Sequence, residues 1–212
     1  MTETFTAKGQ RRRRALIEAA AEMLRESGPS NVSMRNVARR VGASLSAMTY
    51  YFNGADELLE EAGRLNIAKW AERAERVAEQ AELGAPPTSL NAAISLVLSA
   101  TLPKDSPLLG HYSQLIAAGA SVPVTRAYST GRGRLNLAVG RVLRVAGFNC
   151  PPELIISVVD GAAVSALSEG RDVHTTARQH LQLLLEHCGD DATAFPDTSQ
   201  TTGSDVPTSH HQ

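Results

Sequence analysis

The segment SMRNVARRVGASLSAMTYYF, residues 33–52, decides the fold of this 212-residue chain. It contains two short patterns separated by Gly42, and glycine commonly ends a helix because it tolerates positive φ. In the first pattern, apolar residues recur from Met34 at spacings of three, four and seven, as on one face of an amphipathic helix. In the second, Met48 and Phe52 lie four residues apart and are expected to face inward. The segment therefore predicts two short helices joined by a tight turn.

Two serines stand where these helices are expected to begin. Ser33 and Ser44 each precede an apolar pattern, and a serine hydroxyl in that place accepts a hydrogen bond from a free N–H of the first turn. Such a pair of helices is typical of a helix-turn-helix, whose second helix enters the major groove of DNA. A helical hairpin within an all-α domain is the alternative.

Basic residues concentrate near the beginning of the chain. Residues 8–52 contain nine Lys and Arg against three Asp and Glu, a net charge of +6, whereas the remainder holds 12 against 19, a net charge of −7. Such an uneven distribution indicates that the basic end binds the partner. A basic arm can contact DNA phosphates without reading sequence. The arm consists of Arg11, Arg12, Arg13 and Arg14.

Two other interpretations of the arm are a solvated helix start and a targeting signal. Glu18 and Glu22 interrupt the apolar stretch that follows, so a secretory signal is not expected. The apolar run at residues 90–102 is too short, and too rich in Ser and Thr, to cross a bilayer. The cytoplasm is therefore the expected compartment.

From about Ala15 to Leu59 the chain resembles the DNA-binding domain of the TetR family of bacterial repressors. The matching parts are ALIEAAAEML at residues 15–24, Gly28, residues 33–52 and the DELL that follows. The family usually has a Tyr where this chain has Thr49 and a Lys where this chain has Ala55. Both positions commonly touch phosphates in the family, so the resemblance implies fewer backbone contacts here.

The resemblance implies a sequence-specific transcriptional regulator, a repressor that binds a palindromic operator as a homodimer and is released by a small-molecule effector. It implies no enzymatic activity, cofactor, metal or membrane partner. Ser46 and Ala47, with Leu45 at the rim, would face base edges. The expected phosphate contacts, besides the basic arm, are Ser33, Arg35, Ser44, Thr49, Tyr50 and Tyr51.

The fold expected from the resemblance and from helical patterning is all-α, with about nine helices. A helix-turn-helix domain with its basic arm (1–55) precedes a helical effector-binding and dimerisation domain (56–188), and a Ser-, Thr- and Pro-rich stretch (189–212) is expected to be disordered. Capping and breaking signals place the first helix at 15–27 and the long helix at 56–83. Later helices are expected at about 89–100, 108–120, 123–146, 152–170 and 174–188.

Polar and aromatic residues that recur among the later apolar segments are candidates for a ligand pocket. Each is more often an ordinary core or surface residue, and aromatic residues make up only 4% of the chain. This scarcity argues against a broad aromatic-lined pocket. The candidates are Trp70, His111, Tyr112, Gln114, Arg126 and Tyr128.

The last two predicted helices carry small and apolar faces that suit a four-helix dimer interface. Packing of both helices inside one subunit accounts for the same periodicity. The candidate interface residues are Leu154, Val158, Gly161, Ala162, Ser165, Leu181, Leu184, Leu185 and Cys188.

Two other classes of protein compete with the regulator interpretation. An enzyme lacks support, because Gly131-Arg132-Gly133-Arg134 is only a fragment of a phosphate loop and is better explained as a charged loop or helix interruption. Cys150 and Cys188 are isolated thiols without metal-ligand spacing. A helical module that binds small molecules, nucleic acid or membrane without operator specificity is the second alternative.

Overall fold

The computed structural model describes residues 6–103 and 108–188, which form nine α-helices and one 3-10 turn, with no strand among them. The all-α prediction is confirmed. None of the helices in these two ranges is long and apolar enough to span a bilayer. The predicted tail at 189–212 lies outside the described residues. The helices are α1 (Ala7–Ser27), α2 (Met34–Arg40), α3 (Leu45–Tyr51), α4 (Ala55–Leu83), α5 (Leu90–Thr101), α6 (Leu108–Ala118), α7 (Val122–Val145), α8 (Pro152–Glu169) and α9 (Val173–Cys188).

The helix-turn-helix has the predicted capping. The Ser33 hydroxyl accepts a hydrogen bond from the Asn36 N–H at 3.1 Å, and the Ser44 hydroxyl accepts one from the Ala47 N–H at 3.1 Å. Between the two helices Gly42 has φ of 62°, a left-handed conformation that an L side chain rarely adopts. Serine caps therefore fix where α2 and α3 begin, and Gly42 provides the turn between them.

Helix α1 begins eight residues before the predicted start at Ala15. Thr6 caps it by accepting a hydrogen bond from the Gly9 N–H at 3.2 Å. The four arginines therefore lie on the early turns of a helix and not on a separate arm. The prediction was wrong here because Thr6, followed by residues compatible with a helix, extends α1 without any apolar periodicity.

Helix α4 contributes to two hydrophobic cores. Its first turns place Leu58 and Ala62 in the N-terminal core with Leu16, Leu24 and Met48. Its later turns pack into the larger core formed with α5 and α7–α9. The division of the chain near residue 55 stays a prediction, because one continuous helix belongs to both cores.

Two glycines allow α4 and α7 to approach closely. A Cβ added to Gly131 would lie 2.5 Å from Ile67 Cγ2, and one added to Gly63 would lie 3.0 Å from Ala127 Cβ. Both glycines are inside uninterrupted helices. The segment Gly131–Arg134 is therefore neither a loop nor a helix break, and the sequence interpretation of it was wrong. Gly131 is required by the packing and not by its conformation.

Helices α8 and α9 form a hairpin that turns at Gly170, whose φ is 67°. Ala162, Leu181 and Leu185 are buried in the core of this one subunit, with 1%, 0% and 2% of their surfaces exposed. A partner subunit cannot contact side chains that are already covered, so these three predicted interface residues are corrected to core residues. Leu154 is 41% exposed, Val158 and Leu184 are half-buried, and the Cys188 side chain lies outside the described part of the chain.

Substitution of two of the three glycines of α7, Gly131 and Gly133, tests this packing. Gly131→Ala is expected to lower the free energy of unfolding by about 1–3 kcal/mol, because the new methyl group overpacks the contact with Ile67. Gly133 has no neighbour within 4 Å of an added Cβ, so Gly133→Ala is expected to raise the same quantity by about 0.5–1 kcal/mol through helix propensity. Urea denaturation of both variants measures the difference, and equal effects would contradict a close contact at Gly131.

Candidate nucleic-acid interface and ligand cavity

Helix α3 presents most of its side chains to solvent. Met48 points inward and is 0% exposed, while Leu45 is 48% and Tyr50 is 61% exposed. Ser46 and Thr49 are also exposed, and Ala47 is half-buried. Because only the inner face of this seven-residue helix is buried, its outer face is free to enter a groove wide enough for an α-helix. The major groove of B-DNA admits such a helix.

The hydroxyl groups of the helix-turn-helix are partly occupied by local hydrogen bonds. Ser44 Oγ lies 2.9 Å from Ser46 Oγ, and Thr49 donates a hydrogen bond to the Ser46 carbonyl at 3.0 Å. Ser33 and Ser44 also serve as helix caps. These contacts fix the conformation of α3 before any partner binds, which lowers the ordering cost of binding.

The arginines of α1 divide into two groups according to their contacts. Arg13 turns inward: its guanidinium lies 3.3 Å from both Glu57 and Glu61 and 5.1 Å from the centroid of the Phe52 ring. Arg14 pairs with Glu18 at 3.0 Å. Arg13 therefore fastens α1 to α4, and its predicted role in DNA binding is replaced by a structural one.

The other arginines of α1 face the same groove as the tyrosine pair of α3. Arg11 and Arg12 line this groove with Lys8, Tyr50 and Tyr51. Within the described ranges Arg11 and Arg12 form no ion pair, and the same holds for the exposed Arg35 of α2. A groove with unpaired cations and aromatic hydroxyl groups suits a phosphate backbone.

A cavity of about 970 Å³ lies between α4, α6, α7 and α8 in the larger domain. Three predicted ligand residues, Trp70, Tyr112 and Tyr128, line it. His111 packs behind Trp70, with ring centroids 4.7 Å apart. Arg126 does not line it: the side chain is exposed and pairs with Glu60 at 3.3 Å. The chain has nine aromatic residues of the Phe, Trp and Tyr types, and three of them line this one cavity beside mostly aliphatic and small residues.

Sequence reasoning missed the two charged residues of the cavity, Asp160 and Arg132. Burial raises the pKa of Asp160 to about 6, against the opposing influence of Arg132, the Tyr112 hydroxyl and Arg73. The signal was present in the sequence. Asp160 is the only charged residue between Glu153 and Glu169, in a helix that is otherwise apolar or small.

A buried chain of polar side chains connects the cavity to α1. Tyr128 donates to Gln114 Oε1 at 3.2 Å, and Asn66 Nδ2 donates to the same oxygen at 3.1 Å. Asn66 also donates to the Ala21 carbonyl at 3.2 Å and accepts from Arg25. Asn66 and Gln114 are each 1% exposed. Gln114 is therefore a connecting residue between the cavity wall and the N-terminal domain, and it does not line the cavity itself.

Two further predicted dimer residues belong to the cavity. Gly161 and Ser165 line it from α8, next to Asp160. Ser165 Oγ also donates to Glu169 at 2.9 Å and accepts from Arg171 at 3.2 Å. Gly161 is nevertheless exposed and Ser165 half-buried, so a role for these two residues in a dimer interface stays a prediction.

The architecture defines the class of protein: over the described residues it is all-helical, with an N-terminal helix-turn-helix and a larger helical domain that contains a cavity open to solvent. Comparison with known proteins relates the N-terminal domain to one family. Residues 16–62 match the sequence profile of bacterial regulatory proteins of the tetR family. The match covers most of the helix-turn-helix domain and the first turns of α4, and over these residues the chain is similar to TetR-family regulators.

Two curated relatives agree over the same region. The chain is 36% identical over 69 residues to the HTH-type transcriptional regulator PksA of Bacillus subtilis, covering 32% of this chain and 34% of the relative. It is 40% identical over 53 residues to the HTH-type transcriptional regulator BetI 1 of Chromohalobacter salexigens, covering 25% of this chain and 26% of the relative. The chain thus spans about a third or less of the length of the curated relatives it matches.

A solved structure extends the likeness to the larger domain. A protein from Saccharomonospora viridis, crystallised in complex with choline, has a TM-score of 0.64 with 20% sequence identity. The superposition covers 84% of this chain and 97% of that one. At this identity the likeness shows a shared fold.

The pH dependence of stability tests the environment of His111. Burial, with a smaller contribution from Arg73, lowers the pKa of His111 to about 4. Between this value and about 6.5 the unfolded chain binds a proton that the folded chain does not, so the free energy of unfolding falls as the pH falls through this window. We expect His111→Gln to remove about 1–2 kcal/mol of that loss at pH 5.

Urea denaturation at pH 7.5 and pH 5 measures this effect, with the exposed His180→Gln as the control. Asp160 acts with the opposite sign, because a raised carboxyl pKa favours the folded state as the pH falls, but it contributes equally to all three proteins. An unchanged pH dependence in His111→Gln would show that His111 is not held neutral by burial.

Proposed function

We propose that this protein is a sequence-specific transcriptional repressor that binds a palindromic DNA operator as a homodimer in the cytoplasm and is released by a small-molecule effector. The observation that carries the proposal is the outer face of α3, which is capped at Ser44, anchored by Met48 and otherwise exposed. The unpaired cations beside this face support DNA as the partner, since phosphates attract them.

The contacts divide into two kinds. Arg11, Arg12 and the tyrosine pair share one groove, so they hold the phosphate backbone. Ser46 and Ala47, with Leu45 at the rim, lie at the beginning of α3, and the first residues of a recognition helix contact base edges. Arg35 and the hydroxyl groups of Ser33, Ser44 and Thr49 add contacts with the DNA phosphate backbone.

A homodimer would form through the apolar side chains that are exposed on the hairpin of α8 and α9. Because the two helices run in opposite directions, Leu154 near the beginning of α8 and Leu183 near the end of α9 belong to the same end of the hairpin. They are 41% and 57% exposed. Val158 and the half-buried Leu184 extend this apolar surface, and its two-fold repetition would match two half-sites of an operator.

The cavity and the polar chain support control by an effector. A ligand that contacts Tyr128 would act on the side chain that donates to Gln114, and Gln114 is linked through Asn66 to α1. A ligand that favours one arrangement of these hydrogen-bonded side chains would shift the position of the DNA-binding domain. If the ligand lowers the affinity for DNA by some factor, DNA lowers the affinity for the ligand by the same factor. The choline found in the Saccharomonospora viridis protein is consistent with a ligand-binding role for this fold. Non-enzymatic function is part of the same proposal.

Selection of duplexes from a random oligonucleotide pool, with the purified protein, tests the proposal. We expect one enriched motif with two-fold symmetry. Recovery of unrelated duplexes would instead favour the alternative, a helical module that binds nucleic acid without operator specificity.

The salt dependence of DNA binding tests the division of arginines. The double variant Arg11→Gln/Arg12→Gln is expected to weaken binding to the selected duplex and to random DNA by a similar factor. It is also expected to reduce the slope of log K against log salt by about 2 per subunit. Fluorescence anisotropy over a series of salt concentrations measures both quantities.

Arg14→Gln is the matched control, because Arg14 is on the same helix but pairs with Glu18. Its salt slope is expected to remain close to that of the wild type. If Arg14→Gln and the double variant reduced the slope equally per charge, the groove of α1 and α3 would not be the phosphate site.

A further inference from the structure

We propose that the cavity between α4, α6, α7 and α8 binds an organic cation with alkyl substituents, whose positive charge is held by the Asp160 carboxylate and by the aromatic rings of Trp70 and Tyr128. This inference rests on the proposed effector role of the cavity and deepens it by naming the chemical class of the ligand. It follows from the charge, the ring contacts and the apolar walls of the site.

Asp160 is a carboxylate available to a ligand. It lines the cavity from α8 and forms no ion pair with any residue that the structure describes. Burial acts against its charge, yet its pKa of about 6 leaves the group ionised at neutral pH. Arg132 and Arg73 act on this carboxylate from beyond ion-pair distance, so a cation that reaches it at contact distance stabilises its charge further.

The aromatic residues form a continuous wall beside this carboxylate. The Trp70 ring lies 5.2 Å from Tyr128 and 4.7 Å from His111, and His111 lies 4.9 Å from Tyr112, measured between centroids. Because burial lowers the pKa of His111 to about 4, this wall carries no positive charge at neutral pH. Aromatic rings attract quaternary ammonium groups through their quadrupoles, and tryptophan does so most strongly.

Aliphatic side chains complete the cavity. Ile67, Leu115 and Val164 line it together with the aromatic wall. A cation that carries alkyl groups would bury its substituents against these residues, whereas a small hydrated metal ion would gain nothing from them. The combination of one carboxylate with apolar and aromatic walls therefore favours an alkylammonium group.

An anionic ligand bound by Arg132 is the alternative to a cation. It also lines the cavity, and it forms no ion pair within the described residues. Arg73 lies nearby, but its guanidinium donates to the carbonyl groups of Ala100 and Thr101 at 3.2 Å. An anion at Arg132 would face both the Asp160 carboxylate and the electron-rich faces of the rings, so a cation is favoured.

Three molecules of nearly the same shape separate these cases. Choline is cationic, 3,3-dimethylbutan-1-ol is its neutral isostere, and 3,3-dimethylbutanoate is an anion with the same tert-butyl group. Trp70 is the only tryptophan of the chain and lines the cavity, so its fluorescence reports binding directly. We expect choline to bind at least tenfold more tightly than the alcohol, and the anion to bind least.

Matched variants identify the groups responsible. Asp160→Asn is expected to abolish the preference for choline over the alcohol, while Glu153→Gln, on the exposed beginning of the same helix, is expected to keep it. Tyr128→Phe keeps the ring and is expected to retain choline binding, whereas Tyr128→Leu is expected to lose most of it. The melting temperature of each variant checks folding, and Asp160→Asn should not lower it, because a costly buried charge is removed.

Choline has a permanent charge, so the pH dependence of its binding reports on the protein. The charged and titratable groups that face Asp160 are Arg132, Arg73 and Tyr112, with His111 behind Trp70. Choline binding is expected to be about tenfold weaker at pH 5 than at pH 7.5, because Asp160 becomes protonated below about pH 6.

Tightest binding of 3,3-dimethylbutanoate would overturn the inference and identify Arg132 as the anchor. Equal or absent binding of all three molecules, or an Asp160→Asn variant that behaves like the wild type, would also overturn it. These measurements need no DNA, so they are independent of the repressor proposal. Failure of the duplex selection would refute the repressor and leave a choline preference intact.

Discussion

The close contact between α4 and α7 is the constraint on which the rest of the structure depends. Gly131 and Gly63 remove the side chains that would hold these helices apart, at Ile67 and Ala127. Because α4 also carries Leu58 and Ala62 into the N-terminal core, the same helix sets the position of the helix-turn-helix relative to the cavity. The cavity lies beside this contact, with Ile67 in its wall. A ligand in the cavity would therefore lie next to α4, the helix that belongs to both hydrophobic cores.

Local signals in the sequence predicted the helix-turn-helix well. Ser33, Ser44 and Gly42 act within a few residues of themselves, and Met48 and Phe52 follow a simple helical spacing. The same reasoning failed where a partner distant in sequence decides the outcome. Gly131 resembles a loop residue until Ile67, 64 positions earlier, is placed against it. Ala162, Leu181 and Leu185 have the periodicity of an interface, and only the packing of α8 on α9 shows that they are core residues.

The candidate sites show the same limit in electrostatic terms. Four consecutive arginines have the same charge, yet Arg13 is committed to Glu57 and Glu61 while Arg11 and Arg12 face a groove. Composition could not separate them, because the acidic partners come from α4. The sequence did identify the aromatic residues of the cavity, because they stand out among the apolar helical segments. Asp160 was overlooked, although a lone carboxylate in the apolar stretch of α8 marks a candidate for a buried charge.

Methylation interference on a selected duplex tests most directly whether the outer face of α3 reads base edges. We expect methylation of guanine N7 in the major groove to block binding within two half-sites, whose centres lie about one helical turn or a multiple apart. Replacing Ala47 with Gln should change the interference pattern at one position in each half-site. Interference from phosphate ethylation alone, with none from guanine methylation and none altered in the Ala47→Gln variant, would contradict the claim.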